Sequence, residues 1–219
     1  MFDQATIHMI IKGVFETLYM TLTSSAIAYL IGAPLGILLV MTDKNGLHPM
    51  RGIFTAINIV VNIVRSIPFL ILLITLIPFT RLLLHTSIGS TATIVPLVIA
   101  AAPFIARLVE SSLKEVETGV IEAGRSMGAS NFEIIYKVLL PEAKPSLITG
   151  SAIAVTTILS YSAMAGIVGG GGLGDIAIRY GFYRYQKEIM FATVILLVIV
   201  VQILQEIGTK LAKIGDKRI

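Results

Sequence analysis

Three long stretches of the chain carry no Asp, Glu, Lys or Arg: residues 17–42, 82–106 and 145–174. A helix needs about 20 apolar residues to cross the ~30 Å hydrocarbon layer of a bilayer, and each stretch is long enough. The segment from Gly52 to Thr80 is interrupted only by Arg65, and the run 189–205 reaches spanning length if its helix continues past Glu206 towards Leu211. The pattern predicts an all-α polytopic integral membrane protein with five transmembrane helices, at about 17–42, 53–80, 86–108, 146–168 and 189–211. Residues 1–12 are expected as an external N-terminal segment, 13–205 as the membrane domain, and 206–219 as the end of the last span with a cytoplasmic tail.

Composition supports the lipid setting. Of 219 residues 55% are hydrophobic and 14% charged, where a soluble domain carries about 25% charged residues. The chain has no Cys, which excludes disulfides and thiolate chemistry, and His8, His48 and His85 show no ligand spacing, so no metal site is expected. The start does not read as a cleaved secretory signal: Asp3 precedes a weakly apolar stretch, and the first strong apolar run far exceeds the ~7–15 residues of a signal core.

The formal net charge of +4 forms no basic stripe of the kind that binds nucleic acid. It is better explained by the excess of Lys and Arg in cytoplasmic loops. With the C-terminus inside, residues 43–51, 107–144, the tail after Leu211 and Lys210 at its edge hold 11 of the 17 basic residues. Lys12, Arg81, Arg179, Arg184 and Lys187 then fall outside, which places the N-terminus outside as well. Ala28, Gly32 and Gly36 recur every fourth residue on one helix face, a pattern that permits close helix contact. Pro34, Pro96 and Pro103 free backbone groups that must find partners within the protein. These are features of a helical bundle.

Eleven of the 30 charged residues fall between Arg107 and Lys144. Within this stretch Ser130 and Glu133 have the spacing of a capping box. Phe132, Ile135, Tyr136 and Leu139 are spaced as one apolar stripe of a helix that Pro141 should end. Val120, Ala123, Gly124 and Met127 make a flatter stripe before Gly128. Two short helices joined at a glycine turn are expected below the membrane. On pattern alone they serve equally as a loop packed on its own bundle or as a docking element.

Gly169, Gly171 and Gly174 match G-x-G-x-x-G, but they follow a membrane span rather than a strand, and no Gly-Lys-Ser/Thr follows. The expectation for Gly169, Gly170, Gly171, Gly172 and Gly174 is a closely packed break at the outer end of the fourth span. The chain then has no nucleotide site and no cofactor of its own, and is not an enzyme. Arg65 is the one charge deep in a span, and should face the bundle interior or water. It is read as lining a pathway or as a charge paired within the bundle, with Pro68 freeing the carbonyl of Val64 beside it. Ser66 and Pro68 beside it, and Tyr161, Ser162 and Met164 in the fourth span, complete the candidate pathway, although a lone Met in a membrane helix is more often packing.

Glu122-Ala123-Gly124, then Gly128, then Val138-Leu139-Leu140-Pro141 resembles the EAA loop of ABC importer permeases, which reads E-A-A, three residues, G, nine residues, I-x-L-P. The departures are Gly124 for the second Ala and Val138 for Ile. Arg65-Ser66-Ile67-Pro68-Phe69 is similar to the R-x-x-P element of their second span. Gly169–Gly174 is similar to the G-A-G-G-L-G signature of methionine and betaine importers. Tyr161 to Gly166 and Arg179 to Tyr183 look most like the methionine permeases. The resemblance runs from about Gly13 to Gln205. It implies a type I ABC importer permease fold in the bacterial inner membrane, and an ATPase-coupling site at Glu122, Ala123, Gly124, Gly128, Leu140 and Pro141. It also implies a homodimer, two cytoplasmic ATPase subunits that bind the ATP, an external methionine-binding lipoprotein, and methionine (L and D) as cargo. A sister importer for betaine or another small osmolyte stays open, as does an ion-coupled carrier or channel working alone.

Overall fold

The computed structural model describes residues 2–215, which form helices and turns without a strand. The end of the basic tail, 216–219 with Lys217 and Arg218, lies outside the described residues. Helix α1 runs from Gln4 to Thr42. It is capped by Asp3, whose carboxylate accepts from the Thr6 amide at 2.9 Å. At 1.5 Å per residue its 39 residues extend about 58 Å, close to twice the hydrocarbon thickness. Residues 4–12, expected as part of an external N-terminal segment, are helical and continuous with the first span, since nothing between Gln4 and Glu16 breaks helix.

α1 lies against α5 (Ser90–Lys114), and the small-residue stripe is the reason. A Cβ at Gly32 would stand 2.5 Å from the Ala102 carbonyl oxygen, and one at Gly36 2.5 Å from that of Ala106. Ala28, Ala101, Ala106 and Ile105 are fully buried along this seam. Lipid offers no hydrophobic drive between helices, so such close van der Waals contact is what holds them.

The second predicted span is the main correction to the sequence expectation. α2 (Arg51–Ser66) and α3 (Phe69–Thr75) meet at 101°, and α4 (Ile77–Leu84) follows. Pro68 has no amide to continue the ladder, and its ring forces the preceding Ile67 into an extended conformation, φ −85°, ψ 124°. α2 alone is about 24 Å long, short of a full crossing.

α5 continues to Lys114 and leads into α6 (Thr118–Ser126). α7 (Asn131–Glu133), a π-helical turn (Ile134–Leu139) and α8 (Leu140–Glu142) follow, before α9 (Lys144–Met164) returns through the bundle. A 3₁₀ turn (Ala165–Val168) and the glycine run lead to α10 (Gly172–Ile176), a π-turn (Ala177–Phe182) and α11 (Lys187–Gly215). α11 passes Glu206 without a break and seats Gly208 on Ala152 of α9. Among the described residues four helices are long and apolar enough to cross a membrane, and the number is five if the bent α2–α3 pair is one span.

Candidate functional sites at three levels of the bundle

At the charged end, the capping box is fully formed. Ser130 Oγ accepts from the Glu133 amide at 3.3 Å, and Glu133 Oε2 accepts from the Ser130 amide at 3.0 Å. Lys137, whose ammonium donates to Glu133 at 2.9 Å, and the two Ser130 donors hold the Glu133 carboxyl down at about 2. Gly128 makes the preceding turn at φ +82°, a conformation that L side chains rarely adopt.

The apolar face of this segment differs from the helical expectation. Ile134, Ile135 and Leu139 are buried, whereas Phe132 (74% exposed) and Tyr136 (66%) face outward and stack at 6.3 Å. The π-turn explains the shift: its i→i+5 repeat puts Ile134 and Leu139 on the same side and rotates Tyr136 away. Pro141 does not end the helix either. It occupies the first turn of α8, where its missing amide is not needed, and the chain turns only at Ala143.

Of the loop residues that the sequence singled out, Gly124 is buried, in van der Waals range of Ile134 and Val138, and Leu140 is half-buried. Glu122, Ala123, Gly128 and Pro141 are exposed, as is Met127. Glu122 has no side-chain partner among the described residues. Its neighbour Arg125 and Asp43 help line a cavity of about 390 Å³ behind α6.

Just above this level is a charged cluster that the sequence reading missed. Arg107 donates to Glu110 at 2.6 Å, to Asn62 at 2.8 Å, and also to Asn58. Lys114 closes on Glu110 at 2.9 Å and on Asp43 at 2.7 Å, and holds the Asp43 carboxyl below the usual carboxylate range. Three segments are joined in this way: the end of α1, the middle of α2 and the last turns of α5. The signal was present, since Asn58 and Asn62 are spaced i, i+4 in a run otherwise apolar up to Arg65. Polar residues within a span usually have a partner there.

At the α2–α3 bend, Arg65, Phe69, Leu72, Ala100, Phe104 and Tyr161 line a cavity of about 240 Å³. Phe69 and Tyr161 are stacked, with centroids 4.5 Å apart and planes within 5°. Arg65 stands exposed at the rim with no partner among the described residues. The expected help from Val64 fails, because the Ile67 amide takes that carbonyl at 3.3 Å. Of the other candidate pathway residues, Ser66 is exposed and donates to the Asn62 carbonyl, and Pro68 is exposed at the bend. Met164 is 47% exposed, while Ser162 is buried and spends its hydroxyl on the Leu159 carbonyl at 2.7 Å.

The glycine run forms the far end. The Gly172 amide donates to Glu16 Oε2 at 2.8 Å and the Leu173 amide to Thr17 Oγ1 at 2.9 Å. Thr93 Oγ1 donates to the Gly170 carbonyl, and the Gly89 amide to that of Gly169. Gly169, Gly171 and Gly172 all have positive φ, and a Cβ at Gly174 would lie 2.2 Å from the Ala163 carbonyl oxygen. The run is a packed crossing point of α1, α5 and α9 in which nothing resembles a phosphate cradle opening a helix after a strand.

A bundle of long apolar helices, with one helix pair bent at a proline and a structured charged loop at one end, is the architecture of a polytopic membrane protein. The chain belongs to the family of binding-protein-dependent transport system inner membrane components, whose profile matches residues 32–210. It is 51% identical over 210 residues to the probable D-methionine transport system permease protein MetI of Vibrio cholerae, covering 96% of this chain and 93% of that one. It is 49% identical over 158 residues to the D-methionine transport system permease protein MetI of Escherichia coli (72% and 73%). Among solved structures it superposes with a TM-score of 0.97 on a chain of the inward-facing MetNI methionine ABC transporter, at 44% identity, covering 99% of this chain and 100% of that one. An amino acid ABC transporter at 20% identity and a TM-score of 0.74 shares the fold.

Proposed function

We propose that this chain is the permease subunit of an ATP-driven importer that carries methionine, in both L and D forms, across the bacterial inner membrane. The identity of about half its residues with permeases named for D-methionine transport carries the substrate. The exposed, rigidly built loop carries the mechanism. The chain does no chemistry itself. Two copies form the pathway, two ATPase subunits dock on the loops, and an external methionine-binding lipoprotein delivers cargo. The loop end is cytoplasmic, with the N-terminus outside and the C-terminus inside, in keeping with the distribution of Lys and Arg.

α6 is the coupling helix in this reading. Its Glu122 and Ala123 are exposed to a partner, Gly124 lets it seat flat on the π-turn, and Gly128 fixes its exit. Leu140 and Pro141 hold the return into α9. Docking a short helix in a groove is an established mode of recognition. α2 buries only Val61 within the chain, so its remaining apolar face is available to the second copy.

The test is uptake of labelled methionine by cells lacking their own system, with this chain restored beside its ATPase and binding protein. Uptake blocked by unlabelled D-methionine, insensitive to betaine and abolished by Glu122→Lys in a membrane-inserted protein is expected. Betaine uptake instead overturns the substrate, and wild-type uptake from Glu122→Lys overturns the coupling helix.

A further inference from the structure

Arg65 presents a physical problem that the bundle leaves unsolved. A cation inside a span is costly and almost always has a partner there, yet the guanidinium of Arg65 has none among the described residues, while Arg107 on the neighbouring helix has three. Beside Arg65 the wall changes character completely. Phe69 and Leu72 are buried, Tyr161 lies parallel to Phe69, and Phe104 and Ala100 close the other side. One open end of the cavity therefore offers a fixed positive charge with a planar fork of donors, and the other offers stacked aromatic faces. The cavity's 240 Å³ is below the ~300–1,000 Å³ of pockets for drug-sized ligands, which suits one small metabolite.

We propose that this cavity is a transient binding site, inside the membrane, for a single amino acid with an unbranched apolar side chain. The α-carboxylate sits on Arg65 and the thioether lies against Phe69, Phe104 and Tyr161. Guanidinium–carboxylate pairs are charge-assisted and bidentate, and thioether sulfur makes favourable contacts with aromatic rings. The α-ammonium faces the C-terminal end of α2, where the helix dipole favours a cation. The bend explains why the site is here. A straight second span would carry its backbone past Tyr161, whereas the 101° turn sets Arg65 and Phe69 on two walls of one recess.

This site rests on the methionine-importer reading, and the experiment separates the two. The permease–ATPase complex is placed in nanodiscs with the diazirine analogue of methionine, irradiated, and the labelled peptides mapped by mass spectrometry. Methionine uptake by the same complex with its binding protein in liposomes is measured in parallel. Label is expected on the segments holding Phe69, Phe104 or Tyr161, displaced by excess methionine. Losing a charge-assisted hydrogen bond corresponds to roughly a tenfold to hundredfold weaker occupancy, so Arg65→Gln should lower the labelling by that factor and Arg65→Lys should restore part of it. Ala100→Leu, which fills the recess without touching the charge, is expected to lower labelling in the same way and guards against misfolding of the arginine variant. Label that maps only elsewhere, resists displacement, or persists in both Arg65→Gln and Ala100→Leu overturns the site while uptake by wild type continues. Absence of methionine uptake by wild type overturns the importer reading itself.

Discussion

Arg65 stands on α2 and Arg107 on α5, where it reaches α2 at Asn58 and Asn62, and the fold treats the two arginines in opposite ways. Arg107 is held by Glu110, Asn58 and Asn62, and its side chain is 21% exposed. Arg65 is exposed at the rim of a cavity with no partner among the described residues. Fully partnered, a cation inside a span is a fastener: it fixes α2 to α5, and through Lys114 and Asp43 it fixes both to the end of α1. Unpartnered, a cation costs about 2.5–3.5 kcal/mol on insertion scales and adds nothing to the fold to offset that. The difference teaches that charge in a membrane helix is not one signal. The neighbours decide whether it reports architecture or traffic.

Breaking the fastener should give the largest effect. Arg107→Met leaves Glu110, whose side chain is only 8% exposed, with Lys114 as its one remaining cation, and Lys114 is shared with Asp43. An uncompensated buried charge costs about 3–5 kcal/mol; with Lys114 still on Glu110 the loss should be about 1.5–3 kcal/mol, the worth of a charged hydrogen bond. Thermal unfolding of the purified complex in detergent is expected to shift down strongly for Arg107→Met. Arg107→Met combined with Glu110→Leu should recover part of the loss, because the under-compensated carboxylate is gone and Lys114 keeps Asp43. Asn58→Leu and Asn62→Leu should each cost about 1 kcal/mol, and each effect should vanish in the Arg107→Met background. If Arg107→Met unfolds like wild type, the cluster is not a fastener.

Arg65→Gln is the complementary case. Its unfolding temperature should equal or exceed that of wild type, while the rate of methionine uptake at low substrate concentration falls roughly tenfold or more. A destabilisation as large as that of Arg107→Met sinks the comparison, because it means that Arg65 finds a hidden partner in the assembled transporter.

The fold was largely legible because the chain writes it in long charge-free runs and in one small-residue stripe. Gly32 and Gly36 lie where close contact demanded, on Ala102, Ile105, Ala106 and Val109, and Ala28 is fully buried one turn earlier. Failures came where a local backbone choice rotates the pattern. Pro68 bends a span that hydropathy reads as continuous, and one π-turn between Ile134 and Leu139 moves Tyr136 out of its stripe. Pairing of remote residues was illegible for a different reason. Asn58 and Arg107 are 49 positions apart, and nothing in a single sequence says which polar groups meet. The cavity at the bend combines both difficulties, since it depends on the 101° turn and on α2, α3, α5 and α9 converging there.

The smallest effect lies at the far end of the same scale, where an ion pair stands in water. Glu133 pairs with Lys137 at 2.9 Å, but both are well exposed and serve a short capping turn rather than a helix crossing. Its carboxyl is lowered from 4.5 to about 2 by Lys137 and Ser130. A depressed carboxyl stabilises the folded loop above its unfolded value, so the contribution is complete above about pH 4.5. It is lost as the pH falls towards 2. Hydrogen exchange across 130–136, corrected for intrinsic rates, should show Glu133→Gln less protected than wild type at neutral pH. The two should converge as the pH approaches 2. High salt should narrow the neutral-pH difference, because exposed pairs are screened, while leaving the buried Arg107 cluster almost unaffected. A neutral-pH difference as large as the effect of Arg107→Met would mean that the loop's charges hold the bundle together as the buried ones do. The distinction between fastener and solvent-exposed pair would then collapse.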